Sequence, residues 1–400
     1  MSRLVLRRVR PWGGGESDII IDGGSISNVV DHDPDASYPE AEVVEGESWV
    51  ALPTFADVHV HLDSTRWGLP FKPHTAGPSL IEHIEADRAG WREDLPIAQK
   101  ATRMLGRLIE CGATKIRSYA QIDSYAQLER LDGVLAAKEK YAEQADVTIM
   151  AFPQSGIMID PGTADLLDAA LARGVVDVVG GIDPCGLDRD PKGHLDVVFG
   201  LAQKYQKPVD LHIHESGELG AFSWELVFER TRALGMQGQV TISHGMALGT
   251  NDAAVEAALI EQLADLDVAM ATVAPRRSVQ LPFRRLMDSG VRVGLGQDGM
   301  RDYWSPYGNG DMLDRLYQLC LQQNIKYEDD FRKAAYVATL GGRQVIDPDA
   351  SRPAHDELMP GITPGDDADL ILLEAEGLTT AIIDRPGLDK RRIIRRGALV

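Results

Sequence analysis

Short apolar runs alternate with helix-like segments along most of this 400-residue chain, and this alternation limits the fold more than any other feature. Eight runs have strand character, at residues 50–59, 113–118, 146–152, 175–181, 208–213, 239–243, 267–273 and 291–296. Eight segments have helical character, at residues 97–111, 125–141, 164–174, 195–205, 220–234, 253–263, 280–289 and 312–322. Parallel strands need a long crossover, which is usually a helix. Eight strand–helix pairs therefore predict an α/β fold, the (β/α)8 TIM barrel.

Both ends of the chain have strand character without this alternation. Strand-like runs occur at residues 4–9, 18–22, 369–373, 380–383 and 392–395. The acidic stretch 31–47 contains two prolines and predicts an exposed loop. We expect residues 1–50 and 358–400 to form a small β-sandwich domain, which brings the two termini together, and residues 51–357 to form the barrel.

The composition excludes several classes of partner. The formal net charge of −20 repels nucleic-acid phosphates and anionic membrane surfaces, so we expect neither as a partner. Three cysteines without a CxxC pair favour a reducing compartment. Arginines interrupt the first apolar run, which is untypical of a signal peptide, and no run approaches the roughly 20 apolar residues of a spanning helix. We therefore expect a cytoplasmic protein.

Five residues of metal-binding types fall at the ends of predicted barrel strands: His59, His61, His212, His244 and Asp298. In TIM-barrel enzymes the catalytic side chains come from the C-terminal ends of the strands. His59 and His61 are spaced i, i+2, which on a strand directs both side chains to one face. Imidazoles combined with a carboxylate suit a zinc-like ion that activates water.

Glu215 follows His212 by three residues and is a candidate proton carrier for such a water, the alternative being an ordinary solvated loop carboxylate. The fourth predicted strand carries no lysine that could bridge two ions, so we predict one metal. The sequence contains no HExxH, zinc-deaminase, nucleophile-elbow or Walker motif. Five other histidines are expected on loop or helix surfaces, with His74 able to fold over the site: His32, His74, His83, His194 and His355.

The segments around these residues resemble the amidohydrolase superfamily, in particular its cytosine deaminase branch. The resemblance lies in residues 59–63, 151–156, 210–215, 243–244, 296–298, 301–312 and 361–370. Three features are also similar to the N-isopropylammelide amidohydrolase branch: the Asp-x-His-Ile-His run at 210–214, the Gly-Gly-Ile-Asp-Pro run at 180–184, and the 301–312 segment. The likeness extends over nearly the whole chain.

The resemblance implies a role for each of the five residues at the strand ends and for Glu215. It implies a metal site formed by His59, His61, His212 and Asp298. Glu215 would be the proton-transferring acid and base. His244 would polarise the attacked centre or orient the hydroxide, and Asp298 would also accept a proton from the metal-bound water.

The same resemblance implies substrate contacts. Gln154 matches a glutamine whose amide donates to and accepts from an N–C=O ring edge. Leu80 and Trp304 match positions that line the pocket, although a tryptophan equally fits barrel packing. Asp183 would hydrogen-bond a ring nitrogen or an exocyclic amine, or it would cap a loop.

Three departures separate this chain from cytosine deaminase itself. Gly299 stands where that enzyme has a second consecutive aspartate, and the second barrel strand ends in Arg117–Gln121 instead of Arg-Thr-His-Val-Asp. His214 precedes Glu215, where that enzyme has an aspartate. These replacements remove carboxylates that contact the base, so they argue against cytosine as the substrate.

We predict a metal-dependent hydrolytic deaminase or aminohydrolase acting on a small nitrogen heterocycle, pyrimidine- or triazine-like, with metal hydroxide attacking a ring C–N carbon. The alternatives are a cyclic amide or imide hydrolase, and a catalytically silent barrel that serves as a binding subunit. One divalent ion is expected, with zinc favoured over iron or manganese. The expected partner is the small heterocyclic substrate, and we expect a homo-oligomer.

Overall fold

The structure of the protein is a computed structural model that describes residues 3–274 and 281–400. Its strands, in chain order, are β1 (Arg3–Pro11), β2 (Ser17–Asp22), β3 (Ser25–Asp31), β4 (Ala41–Glu45), β5 (Val50–Pro53), β6 (Phe55–Val60), β7 (Ala113–Gln121), β8 (Asp146–Phe152), β9 (Val178–Ile182), β10 (Val209–His212), β11 (Val240–Ser243), β12 (Ala269–Thr272), β13 (Val293–Leu295), β14 (Leu370–Leu373), β15 (Arg391–Arg395) and β16 (Ala398–Leu399).

The helices in the same residues are α1 (Leu80–Gly90), α2 (Ile97–Glu110), α3 (Glu129–Lys140), α4 (Thr163–Ala172), α5 (Pro191–Tyr205), α6 (Gly217–Ala233), α7 (Ala253–Asp265), α8 (Phe283–Asp288), α9 (Met312–Gln322), α10 (Glu328–Tyr336), α11 (Gly342–Ile346) and α12 (Leu378–Asp384). Short 3-10 turns at Trp91–Glu93 and Leu388–Lys390 and a π-turn at Val337–Gly341 connect some of them. None of the helices in the described ranges is long and apolar enough to span a membrane.

The barrel consists of β6 to β13, which are parallel and lie side by side in chain order. The segment just beyond β13 closes the ring against β6, because the N–H of Asp298 donates to the carbonyl of His59 at 2.7 Å and Val60 forms a parallel bridge to Asp298. The predicted (β/α)8 barrel is confirmed. The predicted strand 50–59 divides at Thr54, since Val50–Pro53 belongs to the other sheet.

Strands from both chain ends form a second, mixed sheet. β1 belongs to two parts of it: residues 3–7 pair with β4, and Arg10 and Pro11 pair with β5 after an irregularity between Leu6 and Val9. β14 is antiparallel to β5 and to β15, which joins the C-terminal strands to the N-terminal ones. The small sheet built from both ends was predicted correctly, whereas the domain boundaries at residues 50 and 358 stay a prediction.

Two local predictions at the chain ends were wrong. Residues 380–383 are not a strand but lie within α12, because Leu378, Ala381 and Ile382 are buried at the i, i+3, i+4 spacing of a helix. The predicted exposed loop 31–47 contains β4, which pairs with β1 although all five of its residues are at least partly exposed.

Two helices, α1 and α8, were predicted less well from the sequence. α1 lies in the long connection after β6, and its sequence shows no clear helical period because only three of its residues are buried. The predicted helix 280–289 is observed as Phe283–Asp288, and its first residue, Gln280, lies outside the described residues.

Candidate metal centre and active site

The five side chains predicted from the strand ends meet at one end of the barrel. His59 lies within β6, His61 directly follows it, His212 ends β10, His244 follows β11, and Asp298 lies three residues beyond β13. One ligand atom from each of His59, His61 and His212 lies within 4.8 Å of the other two. The same holds for His59, His244 and Asp298. The structure therefore brings together the whole predicted set.

The donor atoms of this cluster fit a bound cation. Both ring nitrogens of His59 and of His212 are buried without a hydrogen-bond partner among the described residues, and so is His244 Nε2. Buried polar groups are nearly always hydrogen-bonded, so three such imidazoles in one place need a partner of another kind. The Nε2 atoms of His59 and His61 each lie 3.5 Å from Asp298 Oδ1. Imidazole nitrogens grouped around one carboxylate oxygen are a typical donor set for a zinc-class ion.

The local electrostatics favour the ligating protonation states. Burial lowers the pKa of His61 to about 4, and burial together with the neighbouring imidazoles holds the pKa of His212 well below its usual range. The His244 pKa is lowered in the same way. Loss of water contacts by itself raises the pKa of Asp298, but His59 and the other imidazoles outweigh it and hold that pKa well below 3.8. Neutral imidazoles and an ionised carboxylate are the forms that bind metals.

Glu215 is held by three hydrogen-bond donors. Its Oε1 accepts the backbone N–H groups of Cys185, at 2.9 Å, and Gly186, at 2.5 Å, and its Oε2 accepts the Ser223 hydroxyl. Burial raises the Glu215 pKa, although these donors act in the opposite direction. The side chain is buried at the cavity wall, so it is not the solvated loop carboxylate of the alternative interpretation. Ser223 on α6 carried no signal in the sequence, because its partner is set by the helix packing.

A carboxylate–histidine pair adjoins the centre. The Asp183 carboxylate accepts the backbone N–H of His214 and pairs with His214 Nδ1, both at 2.7 Å. The backbone of Asp183 itself has a positive φ of 33°. The His214 ring lies 4.2 Å from the His244 ring, between ring centroids. Asp183 therefore orients His214, a residue to which the sequence assigned no role of its own. The i, i+2 spacing from His212, which repeats that of His59 and His61, is the signal that could have revealed it.

A cavity of about 920 Å³ opens above these groups. Among the residues that line it are the four predicted substrate contacts, Leu80, Gln154, Asp183 and Trp304. His83 on α1 stacks against Trp304, with ring centroids 5.2 Å apart, and also lines the cavity. The contacts themselves stay predictions.

The expected surface position was wrong for His194. His83 is partly exposed on α1, as expected, and it also lines the cavity because α1 folds over the barrel end. His194 is fully buried: its Nδ1 is 2.6 Å from Asp188 Oδ2, and the Ile182 N–H donates to its Nε2. That arrangement ties α5 to β9, so the His194 ring has a structural partner on each side.

A buried polar network lies beneath the metal centre. The Tyr119 hydroxyl donates to Asp210 Oδ2 at 2.9 Å, while Ser243 and Arg117 also bond the Asp210 carboxylate. The Tyr119 ring lies 4.2 Å from the His59 ring, between centroids. Tyr119 and Gln121, where the sequence departs from cytosine deaminase, are thus bonded inside the barrel, whereas Asp183 and Gly299 line the cavity.

Comparison with known proteins agrees with this architecture. The chain matches the Amidohydrolase family model over residues 89–399. It is 26% identical to the N-isopropylammelide isopropyl amidohydrolase of Pseudomonas sp. strain ADP over 364 residues, which cover 89% of this chain and 87% of that protein. It is 31% identical over 313 residues to the uncharacterized protein YahJ of Escherichia coli K12, covering 76% of this chain and 66% of that protein.

A solved structure extends the likeness to the entire chain. The crystal structure of N-isopropylammelide isopropylaminohydrolase from Burkholderia multivorans superposes with a TM-score of 0.91 and 35% identity, covering 100% of this chain and 98% of that one. The family match, the barrel and the cluster of histidines at its C-terminal end lead to one conclusion. This chain belongs to the amidohydrolase family, and it is an enzyme whose close relatives are amidohydrolases and deaminases acting on carbon–nitrogen bonds.

Proposed function

We propose that this protein is a metal-dependent aminohydrolase that removes an amine from a small nitrogen heterocycle of the triazine or pyrimidine type. The observation that carries the proposal is the combination of the histidine–aspartate cluster with Glu215 at the wall of one cavity. Support for the ring class comes from the 35% identity, over the full chain, to an enzyme named for a triazine alkylamine. We favour a triazine over a pyrimidine because of this likeness to the N-isopropylammelide enzyme.

In the proposed reaction, water attacks the ring carbon that carries the departing amine. A divalent ion held by His59, His61, His212 and Asp298 would supply Lewis-acid activation of the water. Glu215 would accept a proton from the water and return it to the departing nitrogen. The new C–O bond forms as the C–N bond breaks, so the ring gains a carbonyl and ammonia or an alkylamine leaves.

The other residues of the cavity would bind and polarise the substrate. His244 would polarise the attacked centre, and its ring is supported by that of His214. The Gln154 amide would read an N–C=O edge, because a single amide both donates and accepts. Trp304 would cover the flat face of the ring.

Three finer expectations belong to the same proposal. Zinc is the favoured ion, because three imidazole nitrogens and one carboxylate match its preferences better than those of the hard cations. The cytoplasmic location and the homo-oligomeric state stay predictions.

The test is a screen of triazines, pyrimidines, purines and pterins with the zinc-loaded protein, measuring ammonia and alkylamine release. Release from at least one ring, lost when Glu215 is replaced by glutamine, is the expected result. A new acid without released amine would indicate cyclic amide hydrolysis instead. Stoichiometric metal without turnover on any ring would support the silent binding subunit.

A further inference from the structure

Residue 299 has no side chain, and the Asp302 carboxylate occupies the space beside it. A Cβ atom added to Gly299 would lie 2.0 Å from Asp302 Oδ2. That separation is far below contact distance, so any side chain at position 299 would have to displace the carboxylate. Both residues line the cavity, next to Asp298. The missing side chain thus makes room for a carboxylate that arrives from three residues further along the chain.

The hydrogen bonds of Asp302 fix its orientation and leave one oxygen less used. Its Oδ1 accepts the backbone N–H groups of Trp304 and Ser305, both at 2.8 Å. Its Oδ2 accepts the hydroxyl of Ser64 at 3.1 Å. Ser64 comes from the connection after β6 and also lines the cavity, and Ser64 and Asp302 are each 6% exposed.

Together these two groups offer acceptors to the cavity. An ionised carboxylate can only accept hydrogen bonds. The Ser64 proton is already committed to Asp302, so the hydroxyl oxygen has only lone pairs left to offer. A ligand edge that presents an N–H or an amino group would complete this arrangement, whereas a bare carbonyl edge would meet two acceptors.

We propose that Asp302 and Ser64 form a specificity-determining pair that binds a ring N–H or amino group of the heterocycle. This inference rests on the proposed function and adds the hydrogen-bonding polarity that the substrate must have at this edge. The structural role of Asp302 as the cap of the turn at 302–305 depends on Oδ1, which accepts the N–H groups of Trp304 and Ser305.

Asp302→Asn separates the two roles. It retains Oδ1 as the acceptor for the turn and replaces Oδ2 by a donor. Dissociation constants are measured by calorimetry at pH 8, above the value of about 7 to which burial raises the Asp302 pKa. The probes are N-isopropylammelide and its ring-N-methylated derivative, titrated into zinc-loaded Glu215→Gln protein with and without Asp302→Asn. Asp389→Asn, at an exposed position, is the matched control.

We expect Asp302→Asn to weaken N-isopropylammelide binding about tenfold or more, and the methylated derivative by less than about twofold. Ser64→Ala should change binding in the same direction and by a smaller factor, and Gly299→Ala should reproduce Asp302→Asn. Equal loss for both ligands, or none for either, in correctly folded variants would overturn the inference. Absence of amine release by the parent enzyme on every ring would instead overturn the proposed function, and the inference with it.

Discussion

The backbone N–H of Asp298 donates to the carbonyl of His59 at 2.7 Å, so one hydrogen bond joins two of the candidate metal ligands across the seam between β6 and β13. Asp57 reinforces the seam, because its Oδ1 accepts the N–H groups of both His59 and Gln297. The cluster is therefore aligned by the same contacts that close the barrel. Ligand geometry and fold stability are coupled at this point.

Glu215→Gln should remove the proton carrier and leave the metal site intact. The amide retains the shape of the side chain but cannot act as a base, so we expect kcat to fall by about 10²–10⁴-fold or more. Steady-state rates of amine release and metal analysis of the same sample measure both effects. Glu218→Gln, on the exposed first turn of α6, is the matched control. Near-normal turnover of the Glu215 variant would disprove the assigned role.

His212→Asn should reduce bound metal. The imidazole is buried within the cluster, and asparagine is too short and too weak a donor to replace it. After dialysis against a chelator and reloading with zinc, we expect about one ion per chain in the parent protein and much less in the variant. His74→Asn, at an exposed position, should bind metal like the parent. Equal metal content in both variants would remove His212 from the ligand set.

Ser223→Ala should move the acid limb of the pH–rate profile to higher pH. Burial raises the Glu215 pKa, and the Ser223 hydroxyl lowers it by stabilising the charged carboxylate. Without that donor the pKa rises further. Since the carboxylate is the active base, activity is lost as pH falls through this pKa, and the loss then begins at a higher pH.

The measurement for this prediction is kcat/KM across the acid range, with metal content checked at each pH. Ser216→Ala, on an exposed residue that forms no side-chain cap at α6, is the control. A lower rate with an unmoved limb would assign Ser223 a structural role only.

Arg130→Met should destabilise the fold strongly. The fully buried Arg130 of α3 forms an ion pair with Asp87 of α1, and its Nη1 lies 3.7 Å from Asp63 Oδ2. Removing the cation leaves two buried carboxylates without it, which costs about 3–5 kcal/mol for such pairs. Urea unfolding should show this loss, whereas Lys192→Met, which breaks an exposed pair with Asp196, should change the free energy of unfolding far less. Equal stability of the two variants would contradict the prediction.

Much of the fold and the metal cluster was predictable from the sequence because their signals are local or periodic. The strand–helix alternation gives the barrel, and strand ends bring His59, His61, His212, His244 and Asp298 to one rim whatever the loops do. Glu215 was predicted in the same way, because it follows His212 by three residues in the sequence. One error fell where a short apolar run fits either element, at 380–383, which tertiary burial decides in favour of α12.

Spacing along the chain determined the barrel and the candidate metal ligands of this protein, since both follow from the period of strands. Only the tertiary structure decided which groups surround them. Ser64 and Asp302 are 238 positions apart, and the stacking of His83 on Trp304 likewise joins α1 to the segment after β13. Such contacts depend on how the connecting segments pack over the barrel end, and they cannot be predicted from a periodic pattern in the sequence.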